Sequence, residues 1–254
     1  MDITDRKRAE EALLRAQADL AHASRVNTMG ELTATLAHEV NQPITAAVTN
    51  ANACLRFLSG ETPNLEEARE AVQAIVSAGT RAAQIVSRTR EFFKTGVPRK
   101  ALVDVDEVVR NTVVLLESEA SRYSVSIRTW LAAGFPGIMG DHVQIQQVIM
   151  NLIMNGIDAM KEVEGVRELA IRSRSTDAGQ VTVSISDTGK GLPPDGADQI
   201  FQTFFTTKAD GTGMGLSISR SIVEAHGGRL WAEPNSPRGT TLQFTLPAAA
   251  DSVG

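Results

Sequence analysis

The chain has 254 residues, 42% of them apolar and 22% charged, which is enough for one large domain or two ordinary ones. Aromatic residues make up only 4%, so the expected core is aliphatic. The net charge of −5 argues against wholesale coating of nucleic acid, and a single cysteine, Cys54, leaves no intrachain disulfide and fits a reducing compartment. No apolar run approaches the ~20 residues that span a bilayer, and the start MDITDRKRAEEALL is too charged for a secretory signal. A cytoplasmic segment with no membrane contact and no nucleic-acid partner is expected.

The first ~94 residues read as helix. Ile3, Leu13, Leu20 and Val26 form a loose heptad-like seam, which Met29, Leu32, Leu36 and Val40 continue until Pro43 interrupts it. The turn-rich stretch SGETPN, from Ser59 to Asn64, separates this from a second helix with Leu65, Val72, Ile75, Ala82, Ile85 and Phe92 on one stripe. One helical hairpin cannot bury both stripes, whereas two hairpins can, as a four-helix bundle. A homodimer is therefore expected.

TGVPRK, from Thr95 to Lys100, reads as a linker, and after it the pattern becomes mixed helix and strand. Alternating residues predict strands around 125–131, 181–185 and 242–246, with helices at about 104–121, 141–162 and 213–226. Asp141 followed by Gln144 predicts a capping box, and Gly227-Gly228 a helix stop. The sum is an α+β layer of roughly 150 residues. Residues 188–212 read as a long loop of the kind that serves function, often as a lid.

Four groups of residues carry possible chemistry. Gln147, Asn151, Asn155 and Asp158 share one face of one helix, among Val148, Ile149, Leu152, Ile153 and Ile157. Their amide oxygens suit a hard cation such as Mg²⁺ beside nucleotide phosphates, and a solvated amide-rich face is the competing reading. Asp187, in DTGKG, has the strand parity of Val181, Val183 and Ile185 and so points to their buried face, where an adenine amine is a fitting donor; a plain strand-ending turn is the alternative. GTGMGL, from Gly211 to Leu216, opens a helix in a manner suited to phosphate, yet is neither a Walker A loop nor a good Rossmann fingerprint; a flexible loop is the alternative. His38 lies off the seam beside Glu39, with Gln42 one turn on. A carboxylate at one ring nitrogen raises the nucleophilicity of the other, although an ordinary surface pair reads the same way. His22 and His142 are read as surface residues, and His226 as a helix-ending residue favoured by partial positive charge.

In combination these motifs resemble the histidine kinases of two-component signalling. AHEVNQP resembles that family's H-box, QVIMNLIMNGIDA the N-box, DTGKGL the first glycine box, IFQTFFTTK the F-box and GTGMGL the second glycine box. The HExNQP form is similar to the subgroup of oxygen- and dicarboxylate-sensing kinases. The resemblance implies a multi-domain α and α+β protein, with a dimeric four-helix bundle joined to a Bergerat-type α/β sandwich that binds ATP. Residues 1–24 would be a signalling helix after a missing PAS sensor, 25–95 the dimerisation and phosphotransfer domain, and 101–250 the catalytic domain. His38 would be the phosphoacceptor and Glu39 its general base. Asn155 would ligate Mg²⁺, with Asn151 close to the same metal and phosphates. Asp187 would bind adenine, with Gly189 and Gly191 lining the pocket. Gly211, Gly213, Gly215 and Leu216 would hold the phosphates, and Lys208 would contact their charge. Gln42 stands where the family often has Thr or Asn, and a phosphatase activity towards the partner remains implied. The partner would be the receiver domain of a response regulator. The rivals are an ATPase of the gyrase, chaperone or mismatch-repair kind, and a non-catalytic dimeric scaffold.

Overall fold

A computed structural model describes residues 37, 40–59, 62–92, 100–132, 137–176, 179–193, 197–207 and 213–249. The chain divides into two compact units, one of them Met29–Lys94 and the other containing Thr95–Gly254. The seam residues from Ile3 to Leu36 lie outside the described residues.

The first unit is a helical hairpin. Helix α1 covers 40–58, and Ala37 is also helical, so Pro43 lies inside the helical run rather than ending it. Helix α2 is Leu65–Phe92, with Glu66 and Glu67 in its first turn, where the helix dipole favours negative charge. Asn64 precedes it, accepting from the Glu67 N–H at 3.3 Å through Oδ1 and donating its own N–H to the Phe57 carbonyl at 2.9 Å. The stripe expected on α2 to meet a second hairpin is distinct from the face that meets α1. Ala68, Ala71 and Ala78 are the buried residues, and the Cys54 thiol of α1 reaches the Ala68 carbonyl at 3.6 Å. Leu65 and Val72, on the stripe expected to meet a second hairpin, are 70% and 47% exposed in the single chain. Small residues allow α1 and α2 to approach closely, so the larger side chains are displaced to a second face. Ile44, Val48, Leu55 and Val76 are exposed with them.

The second unit has a helix layer on one face of a sheet. Its elements are β1 (Ala101–Val103), α3 (Val105–Arg122), β2 (Ser126–Trp130), β3 (Ile138–Gly140), α4 (His142–Met160), β4 (Glu168–Thr176), β5 (Gln180–Asp187), α5 (Gly215–Ala225), β6 (Arg229–Pro234) and β7 (Thr240–Pro247). The five-stranded sheet has the order β2-β4-β5-β7-β6, with β2 parallel to β4 and the other pairs antiparallel. β1 and β3 form a separate antiparallel pair. Val183 of β5 pairs with Phe244 of β7, and both are 0% exposed beneath Val148, Ile149, Leu152 and Ile153 of α4, which are equally closed to water. Alternate residues face the other way, where Ser184 and Gln243 pair in a polar surface. Trp130 and Trp231 lie on that outer face at opposite edges, with Arg172 stacked 4.5 Å from the first ring and Arg229 5.8 Å from the second.

The sequence reading missed four strands. β1 and β3 have three residues each, too few for a period to register. β4 opens with the consecutive buried residues Leu169, Ala170 and Ile171, which blur its alternation, and β6 is short and directly follows the helix stop. The stretch 188–212, read as loop, contains a 3₁₀ turn at Gln199–Phe201.

Candidate functional site

The chemistry-bearing residues of the second unit converge where β5 ends, along the second half of α4, and at the start of α5. Asp187 ends β5 on the inner face and is 4% exposed. Its Oδ1 accepts from the Gly189 N–H at 2.8 Å and from the Thr240 N–H at 3.2 Å. Burial pushes this carboxyl above its usual range, against the lowering effect of those two bonds. The turn after β6 closes over the strand end: Asn235 donates to the Asp187 carbonyl at 2.7 Å, and a Cβ on Gly239 would stand 2.0 Å from that oxygen. Asn235, Gly239 and Thr240 were missed by sequence reasoning, because PNSPRG signals a turn but not what the turn covers.

Asn151 is 5% exposed and holds two elements together. Its Nδ2 donates to the Gly215 carbonyl and to Ser219 Oγ, both at 3.3 Å, which fixes the first turn of α5 against α4. Asn155 and Asp158 follow on the same face and are half-buried. Gln147 is 1% exposed, so the amide stripe is not a solvated face. Asp158 pairs with Lys161 at 2.6 Å, and that ammonium also stands 4.4 Å from the Tyr123 ring centre.

The glycines give the site its close approaches. A Cβ on Gly189 would be 2.6 Å from the Ala159 carbonyl of α4. Gly191 has φ +82°. Gly213 has φ +65°, and a Cβ there would stand 2.4 Å from the Phe204 backbone. Phe204 itself has φ +71° and donates its N–H to the Gly213 carbonyl at 3.0 Å. Gly215 and Leu216 are half-buried in the first turn of α5. Arg220 of α5 stacks 4.7 Å from the Phe201 ring and pairs with Asp198 at 3.3 Å, so the 3₁₀ turn is tied to α5.

The far end of α5 joins two expected features, the Asp141 cap of α4 and the His226 helix end. Asp141 Oδ1 caps α4 by accepting from the Gln144 N–H at 3.0 Å, but the Asp141 N–H is satisfied by His226 Nε2 at 3.1 Å. The other ring nitrogen lies 2.8 Å from the Ile222 carbonyl, an obligate acceptor. With Nε2 accepting from Asp141, the tautomer that fits both contacts has Nδ1 donating to Ile222. His226 is the C-cap of α5, as expected of a helix-ending residue, and it also clasps α5 to α4. His142 is exposed, as a surface histidine should be.

Gln42 is exposed on α1. His38, Glu39, Lys208 and Gly211 lie outside the described residues. Among the described residues no three His, Cys, Asp or Glu gather into a metal cage, and no helix is long and apolar enough to cross a membrane. The half-buried amide of Asn155 suits a cation that brings most of its oxygen ligands with it, as Mg²⁺ does with phosphates.

An α/β sandwich with a buried carboxylate at a strand end, beside an amide-bearing helix and a glycine-rich helix start, defines an ATPase-type nucleotide-binding domain. Residues 140–250 match the family described as histidine kinase-, DNA gyrase B- and HSP90-like ATPase, and residues 28–96 match the His Kinase A phospho-acceptor domain. The chain is 40% identical to the sensor histidine kinase TmoS of Ectopseudomonas mendocina over 98% of its own length and 26% of that protein. It is 39% identical to the sensor protein FixL of Bradyrhizobium diazoefficiens over 99% of its length and 50% of that protein. The solved catalytic domain of histidine kinase ThkA, nucleotide-free, is 32% identical with a TM-score of 0.54, covering 59% of this chain and 96% of that one. ThkA in complex with the response regulator protein TrrA is 27% identical with a TM-score of 0.52, covering 94% of this chain and 67% of that one. The chain belongs to the two-component sensor histidine kinases, of which it carries the catalytic core. It spans a quarter to a half of the length of the two curated relatives named here.

Proposed function

We propose that this chain binds ATP in its sandwich domain, phosphorylates its own His38, and transfers the phosphoryl group to an aspartate in the receiver domain of a response regulator. The observation that carries the reading is Asp187, closed to water at a strand end with its backbone-bonded Oδ1 fixed in place. An adenine amine offers its second oxygen the donor that burial demands. Gly189 and Gly191 line the base, and Asn151 and Asn155 face the phosphate end. Gly213, Gly215 and Leu216 supply helix-start N–H groups, and the same reading assigns Gly211 and Lys208 to the phosphates. Asn155 holds Mg²⁺, which offsets phosphate charge when bound. The His38 nitrogen forms the new N–P bond as the bond to the ADP oxygen breaks, while Glu39 on the opposite ring nitrogen holds the imidazole and takes its proton. The receiver aspartate then displaces His38 from phosphorus. Gln42, exposed one turn along, orients water for the reverse traffic, hydrolysis of the phosphorylated partner.

In the same reading, 25–95 is the dimerisation and phosphotransfer domain, 101–250 the catalytic domain, and 1–24 a signalling helix from an upstream sensor of the PAS kind, all in the cytoplasm. Homodimerisation is supported by the second apolar face of the hairpin, and a receiver partner by the complex of ThkA with TrrA. The test is incubation with γ-labelled ATP and Mg²⁺. Acid-labile, base-stable label is expected, and His38→Gln should abolish it. Label that survives in His38→Gln, or its absence from the wild type, refutes the assignment. Free phosphate released without labelled protein would instead favour an ATPase.

A further inference from the structure

We propose that Lys190 recognises the phosphate tail of a bound nucleoside di- or triphosphate and exchanges Thr207 for it when the nucleotide enters. The inference rests on the nucleotide reading above and adds a residue to it. The backbone of Lys190 is pinned at the base end of the cleft. It lies three residues after Asp187, and its N–H donates at 3.2 Å to the Ala159 carbonyl, one turn of α4 beyond Asn155. From there the side chain crosses to the other side, where Nζ donates to Thr207 Oγ1 at 3.2 Å.

Thr207 stands three residues after Phe204, whose N–H is bonded to the Gly213 carbonyl, two residues before α5 begins at Gly215. Gly215 in turn is the carbonyl that Asn151 holds. The ammonium thus lies on the phosphate side of the cleft, although its backbone lies on the base side.

The charge pattern gives this placement a purpose. Lys161, at the end of α4, is paired with Asp158 at 2.6 Å, and Arg220 of α5 is paired with Asp198 and Glu224 at 3.3 and 3.6 Å. Among the described residues no carboxylate pairs with Lys190, and its partner is a neutral hydroxyl. A hydroxyl competes weakly for an ammonium against a polyphosphate, whose charged oxygens make bonds about twice as strong. The Lys190–Thr207 contact bridges the first glycine turn and the 204–207 segment, so nucleotide arrival replaces one bridge with another.

Calorimetric titration of the whole chain with ATP, ADP and adenosine tests the assignment. Lys190→Met should weaken ATP and ADP by about tenfold while leaving adenosine within about twofold, and Lys190→Arg should restore most of the loss. Thr207→Val should leave ATP binding at least as tight as in the wild type. Equal losses for ATP and adenosine would mean a role in pocket shape, and ATP binding unchanged in Lys190→Met would mean no role; either overturns the proposal while the nucleotide reading stands. A wild-type chain that binds none of the three removes both.

Discussion

Two buried carboxylates shape the pH response of the second unit. Burial pushes Asp187 above the usual carboxylate range despite its two N–H donors, and it pushes Asp106, in the first turn of α3, the same way despite the Ser173 hydroxyl and Arg110. Asp106 Oδ1 is closed to water without a hydrogen-bond partner. A group whose folded pKa is raised favours the fold while protonated. Its contribution is fully present below the unfolded value of about 3.9 and is lost as pH rises through the folded value. Asp106→Asn should therefore raise stability at neutral pH by about 1 kcal/mol and flatten the decline of thermal stability above pH ~4. A melting temperature that falls at pH 7 contradicts this. Asp187→Asn should likewise stabilise the protein without nucleotide, yet weaken ATP by more than about tenfold, because the amide keeps Oδ1 but places an NH2 donor where the adenine amine needs an acceptor. Melting curves with and without ATP separate the two effects. Asp187 was legible in the sequence because strand parity with Val181, Val183 and Ile185 aimed it inward. Asn235, Gly239 and Thr240 were not, since they reach Asp187 from about 50 residues away and no local pattern encodes that approach.

At the scale of elements, α5 is bound to α4 at both ends, by Asn151 to Gly215 and Ser219 and by His226 to Asp141. His226→Phe leaves a half-buried N–H without its acceptor and should cost about 1–3 kcal/mol in urea unfolding. A variant as stable as the wild type would refute the clasp. Gly213→Ala places a Cβ into the Phe204 backbone at a positive φ. It should weaken ATP binding with little change in the main unfolding transition, since its contacts are to a surface turn and not to the core. Helices α3, α4 and α5 were legible because long periodic segments carry their own signal. The α2 stripe of larger side chains was legible, but the separate alanine face that meets α1 was not, because the two apolar faces overlap on a single helix. His226 was legible as a helix end, but its second partner was not, because it lies 85 residues away in another element.

For the whole molecule, Val48, Leu55, Leu65, Val72 and Val76 are exposed on one hairpin, and the proposed homodimer would close over them. A charge among them should dissociate the dimer while each hairpin still folds on its alanine contacts. Leu55→Arg is expected to yield a monomer by light scattering, with helical circular dichroism largely retained. A dimer that persists would place the interface elsewhere.

The two tryptophans carry a consequence of their own. Both stand on the sheet face turned away from α4, α5 and Asp187, one at each edge, each beneath an arginine. They are the only indoles in the chain. Intrinsic fluorescence is therefore blind to the cleft and serves as an inert baseline: emission will report melting of the sheet's edges while nucleotide comes and goes unseen. An optical signal for ligand entry has to be installed, and the inner side of the sheet is where a new chromophore belongs.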